Sequence, residues 1–257
     1  MNSLAPDPSK APSFYDLARE SVIKTQSAST ATLQRRLKLG FKESEDLLKL
    51  LEGDLVSRRS ADGHRTILPR LLDITHVSHP TNTYWVVPNI LMAGEYPGTK
   101  YVESTRKKLE CLLDAGVTAF LDLTEPSELR PYENELREIA QARQTHCSYR
   151  RMPIRDMRIP DTPRTTQAIL NQIDQWIHAR QTTYVHCWGG VGRTGTVVGC
   201  HLVHNGMDGS AALNQIRLLW TRMSADKQRR HPISPQTDDQ CEYVRAWAGF
   251  EEIAVAQ

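Results

Sequence analysis

The sequence predicts an α/β layered domain with a largely parallel sheet, preceded by a small winged-helix domain. Three observations lead there. From residue 84 onward, short strand-like runs alternate with longer stretches of helical period. Two of those runs, VTAFLDL and TTYVHC, read as buried strands. Before residue 70, three helical patterns are followed by a hairpin signal.

Taken in order, residues 1–12 hold three prolines and no periodicity, and are expected to be a disordered lead-in. Residues 13–69 form the first domain. SFYDLARESVIKTQ carries a helical stripe of Tyr15, Leu17, Ala18, Val22 and Ile23. Ser27 or Ser29 can cap a second helix, TATLQRRLK. KESEDLLKLLEGD is a third helix with Leu47, Leu48, Leu50 and Leu51 as its apolar side. LVSRRSADGHRTIL reads as a hairpin, because Asp62-Gly63 sits between two strand-like runs. Residues 70–83 connect the two domains.

The second domain spans 84–257. YWVV and ILMA are short strands, and TKYVESTRKKLECLLDAG is a helix closed by Gly116. After VTAFLDL comes PYENELREIAQAR, a helix with proline at its start. SYRRMPI is a strand, TPRTTQAILNQIDQWIHAR a helix, and TTYVHC a strand. A glycine-rich loop leads into the helix GRTGTVVGCHLVHNG. Two more helices are predicted, around SAALNQIRLLW and TDDQCEYVRAWAGF.

Composition narrows the class. With 39% hydrophobic and 24% charged residues, the chain has the balance of a globular protein. No run approaches 18 apolar residues, so no membrane span is expected. MNSLAPDPSKAPS lacks the basic start and apolar core of a signal peptide. Cys111, Cys147, Cys187, Cys200 and Cys241 form no C-x-x-C pair, which suits a reducing cytoplasm. No histidine–carboxylate cluster has metal-ligand spacing, so neither a metal nor another cofactor is expected.

The chemistry is concentrated in Val185-His186-Cys187-Trp188-Gly189-Gly190-Val191-Gly192-Arg193-Thr194-Gly195. A cysteine ends a buried strand, and an arginine six positions later starts a helix. The glycines between them let successive backbone N–H groups point inward, making an anion cradle over Trp188, Gly189, Gly190, Val191 and Gly192. The helix adds the partial positive charge of its N-terminus. Arg193 offers a planar fork matched to two phosphate oxygens. Such a cradle favours the thiolate of Cys187, a nucleophile for phosphoryl transfer. Thr194 can donate a hydroxyl hydrogen bond to the sulfur and ease its departure.

HCWGGVGRTG resembles the signature loop of the protein-tyrosine/dual-specificity phosphatase superfamily, His-Cys-x5-Arg-Ser/Thr. The resemblance covers about residues 84–250 and implies the cysteine-phosphatase fold and a phosphocysteine mechanism. It also implies a general acid on an upstream loop, where MPIRDMRIPD offers Asp156 and Asp161. Asp156 is chosen because it follows a strand and a Pro-Ile step, while Asp161 before Thr162-Pro163 reads as the N-cap of the next helix. Ser234-Pro235-Gln236-Thr237-Asp238-Asp239-Gln240 is similar to the water-positioning loop of tyrosine-specific members. Gln236 or Gln240 could orient the hydrolytic water, and Thr237 equally suits a helix N-cap. Lipid-directed members carry lysines inside the signature loop; this one has none, which disfavours a highly phosphorylated inositol.

The N-terminal stretch from FYDLARE to the wing is similar to the gamma domain of bacterial FtsK-type DNA translocases, which implies a bacterial chain or one carried by a bacterial mobile element. Lys42, Glu43, Ser44, Glu45 and Asp46 stand where that domain carries groove-reading residues. Carboxylates there oppose DNA, while Arg35, Arg36, Lys38, Arg58, Arg59 and Arg65 remain basic. The expected function is a protein phosphatase acting on phosphotyrosine, with or without phosphoserine and phosphothreonine. Its alternatives are a DNA-tethered regulator, in which the winged helix is primary, and a non-catalytic phosphoresidue-binding module. The expected partners are a phosphorylated protein and, through the winged helix, DNA or another protein.

Overall fold

A computed structural model describes residues 14–25, 27–52, 56, 59, 63, 65 and 79–248. The chain divides into two units, within Met1–Leu72 and Asp73–Gln257.

In the first unit, α1 (Phe14–Thr25), α2 (Thr30–Leu37) and α3 (Phe41–Leu50) enclose a small apolar cluster. Ala18, Val22, Leu33, Leu48, Leu51 and Val56 are fully buried in it. Leu47 packs at the edge, but Leu50 is 65% exposed, contrary to expectation. Leu47, Leu48 and Leu51 share one helical face at i, i+1 and i+4, and Leu50 falls off it. Ser29 occupies the N-cap of α2 without a side-chain cap bond; instead its N–H donates to Ser27 Oγ at 3.3 Å. Most of the predicted hairpin, and residues 70–78 of the connector, lie outside the described residues. So do the side chains of Tyr15 and Ile23.

Glu45 does not face outward as the groove-repelling reading supposed. It is buried, accepts from the Thr30 hydroxyl, and pairs with Arg65 Nη1 at 3.1 Å. Arg65 also reaches Glu52 at 2.8 Å, and Arg59 lies 3.7 Å from Glu45.

The second unit holds β1 (Thr83–Val87), β2 (Leu91–Gly94), α4 (Val102–Asp114), β3 (Val117–Asp122), α5 (Glu133–Ala142) and β4 (Ser148–Arg151). There follow α6 (Pro163–His178), β5 (Thr182–His186), α7 (Gly192–His204), α8 (Gly209–Trp220), α9 (Ala225–Arg230) and α10 (Asp238–Ala246). The sheet order is β1-β2-β5-β3-β4, parallel throughout except for β1 against β2. Alternate residues of the central strands feed two cores. Ala119, Leu121 and Val185 meet Ile169, Val197 and Ile216 on one face. Phe120 and Tyr184 meet Leu109, Leu112, Leu136 and Ile139 on the other. Each buried Val, Leu, Ile or Phe among them contributes about 1.5–3 kcal/mol of transfer free energy.

Two boundaries differ from expectation. α5 starts at Glu133 after an N-cap at Tyr132, so Pro131 lies outside the helix. The N-cap of α6 is Thr162, whose side chain accepts from Thr165 N–H at 3.1 Å with Pro163 at N1; Asp161 is not the cap. α9 has no counterpart among the elements the sequence predicts. Its six residues are too few to show a period, and only Ser224, accepting from Lys227 N–H at 3.2 Å, marks its start.

The register sets the site. His186 ends β5 flanked by Gly94 of β2 and Asp122 of β3, so three parallel strands terminate together. In an open parallel sheet, the crevice beyond the strands' carboxyl ends is where ligands bind.

Candidate active site

β5 delivers Cys187, 3% exposed, into a loop that α7 closes at Gly192. Gly190 has φ +74°, and a Cβ there would lie 2.5 Å from the backbone of Gly94. Both the conformation and the space therefore require glycine. A Cβ at Gly192 would lie 2.8 Å from Gln240 Oε1. The loop is pinned from two sides: Tyr96 N–H donates to Trp188 O at 2.8 Å, and Ser234 Oγ–H to Val191 O at 2.7 Å.

Arg193 stands in the first turn of α7 with its side chain 1% exposed. Its two terminal nitrogens donate in parallel to Glu128, at 2.7 and 2.6 Å. Nη1 also reaches Ile154 O at 3.1 Å, and Nη2 lies 2.9 Å from Asp156 Oδ1. Burial opposes the guanidinium charge, but Glu128 and Cys187 outweigh it and raise the pKa of Arg193. Burial likewise opposes the carboxylate of Glu128, and the Arg193 hydrogen bonds hold it below the usual range.

His186 is fully buried. Its Nε2 lies 2.7 Å from Tyr132 Oη, and its Nδ1 is 3.9 Å from Asp122. Burial pushes its pKa down against the pull of Asp122. Asp122 in turn accepts from Tyr149 Oη–H at 2.8 Å and Thr124 N–H at 2.8 Å. Thr194 Oγ1 is buried and has no hydrogen-bond partner among the described residues, so the expected bond to the Cys187 sulfur is not made in this geometry.

Cys187 and Arg193 open into a cavity of about 510 Å³, also lined by Trp188, Gly189, Val191 and Gly192. Asp156 lines it too, with its side chain about half exposed. Asp161 does not line it; its carboxylate pairs with Arg155 at 2.7 Å instead. Gln236 lines the cavity, whereas Gln240 does not. Gln240 is fully buried, accepting from Gln236 and Thr237 N–H at 3.1 and 3.2 Å and donating to Arg158 O at 3.1 Å. It thus ties the start of α10 to the loop that carries Asp156, and Thr237 completes the capping box of α10.

Several residues around this cavity were not singled out in the sequence. Glu128 and Tyr132 belong to no motif and approach the loop from the segment between β3 and α5. Lys108, Lys227 and Arg230 also line the cavity, from α4 and α9. A lysine on a helix gives no signal that distinguishes a cavity wall from a solvated face.

A family described as Swiss Army Knife protein, DSP-PTPase phosphatase domain, matches residues 80–244, and the Ftsk gamma domain matches residues 10–70. A search of curated proteins gives no match. Among solved structures, Tk-PTP in the active form is 20% identical with a TM-score of 0.48, over 64% of this chain and 94% of that one. Kinase associated phosphatase, with its catalytic-site cysteine changed to serine, is 19% identical with a TM-score of 0.49, over 66% and 93%. P. aeruginosa TpbA in complex with pTyr is 16% identical with a TM-score of 0.45, over 77% and 92%.

Proposed function

Because the chain belongs to the DSP-PTPase phosphatase domain family over residues 80–244, we propose that it is a protein phosphatase hydrolysing phosphotyrosine, with or without phosphoserine and phosphothreonine, through a phosphocysteine intermediate. One observation carries this reading: Cys187, Arg193 and Asp156 line a single cavity at the carboxyl end of the central strand.

The chemistry follows from the groups present. A phosphomonoester enters the cradle, and the Arg193 fork takes two of its oxygens. Glu128 takes one N–H from each terminal nitrogen of Arg193, Ile154 O accepts from Nη1, and Asp156 Oδ1 is ion-paired 2.9 Å from Nη2. An incoming phosphate therefore replaces Asp156 at Nη2, which leaves the aspartate beside the scissile bond. The Cys187 thiolate attacks phosphorus, the P–O bond breaks, and protonated Asp156 gives its proton to the departing oxygen. Water then attacks the phosphocysteine, oriented by Gln236. Asp156 takes its proton, the P–S bond breaks and inorganic phosphate leaves. Glu128 holds Arg193 throughout, and Gln240 positions the Asp156 loop through Arg158 O. The test is hydrolysis of a small aryl phosphate, its inhibition by vanadate, and mass-spectrometric capture of phosphate on Cys187. A chain that binds phosphopeptide but turns nothing over is the non-catalytic module instead.

Residues 13–69 are read as a winged-helix domain, joined by the connector 70–83 to the phosphatase domain at 84–257. Its occupant is read as protein rather than DNA. Arg65, 4% exposed, is held between Glu45 and Glu52, and Arg59 lies near Glu45, so these cations are partnered within the unit. A gel shift with duplex DNA is expected to show no retardation that weakens steeply with salt. Such a shift, if seen, makes the winged helix a DNA tether. The cytoplasm suits a nucleophile that must stay reduced, and all five cysteines are free.

A further inference from the structure

The signature loop contributes no lysine, yet the cavity it opens into is not poor in cations. Lys108, Lys227 and Arg230 line it alongside Arg193, and none of the three belongs to the loop. Glu95 organises the first two. Its Oε1 accepts from Lys108 Nζ at 2.7 Å, and its Oε2 from Lys227 Nζ at 2.8 Å and Asn82 Nδ2 at 3.1 Å. The backbone of Glu95 is packed against the loop, 2.8 Å from where a Cβ on Gly190 would sit. The cluster therefore stands directly beside the phosphate cradle.

One carboxylate shared by two ammonium groups leaves one positive charge uncompensated. Lys227 is the anchored partner, its side chain 8% exposed. Lys108 is the available one, 42% exposed. Arg230, which lines the same cavity, is 61% exposed, and its partner among the described residues is Asp226, an i,i+4 pair on its own helix. Exposed pairs of this kind are weak and exchange readily for a better anion. The same cavity is lined by two exposed apolar side chains, Trp188 at 57% and Met157 at 47%.

Resting on the phosphatase reading above, we infer that the substrate carries a second anionic group beside the scissile phosphate, received by Lys108 and Arg230, and that it is an acidic phosphopeptide. A multiply phosphorylated ring would need its extra cations at the floor, close around the loop, because its phosphates radiate from one small scaffold. Of the two buried cations that line the cavity among the described residues, Lys227 is already held by Glu95, which leaves Arg193. Exposed cations that share the cavity with exposed apolar side chains fit an extended chain, with an Asp, Glu or second phosphoresidue next to the phosphoresidue.

The experiment uses the full chain and two phosphotyrosine peptides that differ only in flanking Glu against Gln. At low ionic strength kcat/KM is expected to be roughly fivefold to tenfold higher for the Glu peptide. The ratio should fall toward one at about 0.5 M salt, where exposed charges are screened. Lys108→Glu with Arg230→Glu should bring it to one or below, and Lys108→Gln with Arg230→Gln should move it the same way. Equal kcat/KM for both peptides in the wild type overturns the inference alone. So does faster turnover of a phosphatidylinositol monophosphate in vesicles than of the Glu peptide. Failure of the wild type to hydrolyse a small aryl phosphate, which has no second anion, overturns the phosphatase reading itself.

Discussion

The floor and the rim of the Cys187 cavity are built by opposite rules. On the floor, Cys187, Thr194 and His186 are 3%, 0% and 0% exposed, and the Arg193 side chain 1%. Each position is fixed by something that cannot give: the Gly190 backbone against Gly94, the doubled Arg193–Glu128 bond, the His186–Tyr132 contact. On the rim, Asp156, Met157, Trp188, Lys108 and Arg230 are 42–61% exposed and held by single ion pairs or none. Chemistry demands placement to a fraction of an ångström, so its groups are buried and over-constrained. Recognition of a varied substrate demands reach, so its groups keep rotamer freedom. Asp156 joins the two on the proposed mechanism: a rim residue whose carboxyl serves the bond broken at the floor.

The largest effects should come from the floor. Cys187→Ser is expected to abolish turnover while phosphopeptide binding persists, because a serine hydroxyl in the same cradle is not ionised. Arg193→Lys should lose about two to three orders of magnitude in kcat, since an ammonium cannot make two parallel bonds to phosphate or to Glu128. Near wild-type kinetics in either purified variant would mean that the floor does not hold the chemistry.

Next comes the residue that links the two zones. Asp156→Asn should lower kcat on poor leaving groups by about two to four orders of magnitude and flatten the basic limb of the pH profile. An activated aryl phosphate, which needs less protonation, should be affected less. Asp161→Asn should break the ion pair to Arg155 and leave that limb in place. The reverse pattern would move the acid five residues along the loop.

How much of this was legible depends on whether the chemistry is contiguous in the chain. The proposed nucleophile, the glycines and the arginine lie within seven residues, 187–193, because a strand, a tight loop and a helix N-terminus must follow one another to make a cradle. The sheet was legible for a similar reason: buried parallel strands write themselves as apolar runs between helical patterns. Glu128 was not legible, because it meets Arg193 from 65 positions away and sits in a turn with no periodic signal. Lys227 was missed because α9 is six residues long. Gln236 and Gln240 were indistinguishable in sequence, both being glutamines at the start of a helix. Only their surroundings separate them, one at the cavity and one buried in the capping box.

Glu128 sharpens the comparison from beneath the floor. Glu128→Gln leaves the Arg193 charge buried without its main partner, at an expected loss of about 2–4 kcal/mol in stability and roughly tenfold in kcat/KM. The sign with pH is fixed by its lowered pKa. A carboxyl depressed in the folded state stabilises above its unfolded value of about 4.3, and that stabilisation fades as pH falls through the folded value. The gap between wild-type and variant denaturation midpoints should therefore be full at pH 7 and shrink below about pH 4. A gap independent of pH would show that Glu128 acts by packing, and a rise in kcat/KM would show that it restrains Arg193.

The smallest effect should come from Met157, the neighbour of Asp156 on the rim. Its φ is +60°, in the left-handed region that a side chain with a Cβ enters at a cost of about 1–2 kcal/mol. Nearly half exposed, it returns little of that through burial. Glycine takes the same conformation without the clash, though it adds freedom to the unfolded chain. The two terms nearly cancel, so Met157→Gly should change stability by no more than about 0.5–1 kcal/mol, toward greater stability. The turn that presents Asp156 is also closed by Arg158 N–H to Arg155 O at 3.1 Å and by Gln240 to Arg158 O. Those bonds survive the change, so kcat on an ester with a poor leaving group, the substrate that depends on Asp156, should stay within about threefold. Thermal denaturation and steady-state kinetics on the same sample decide it. A loss of more than tenfold in kcat with unchanged stability would show that the methionine side chain, and not the backbone bonds, holds Asp156 over the floor, and the division between a rigid floor and a loosely held rim would fail at the residue that joins them.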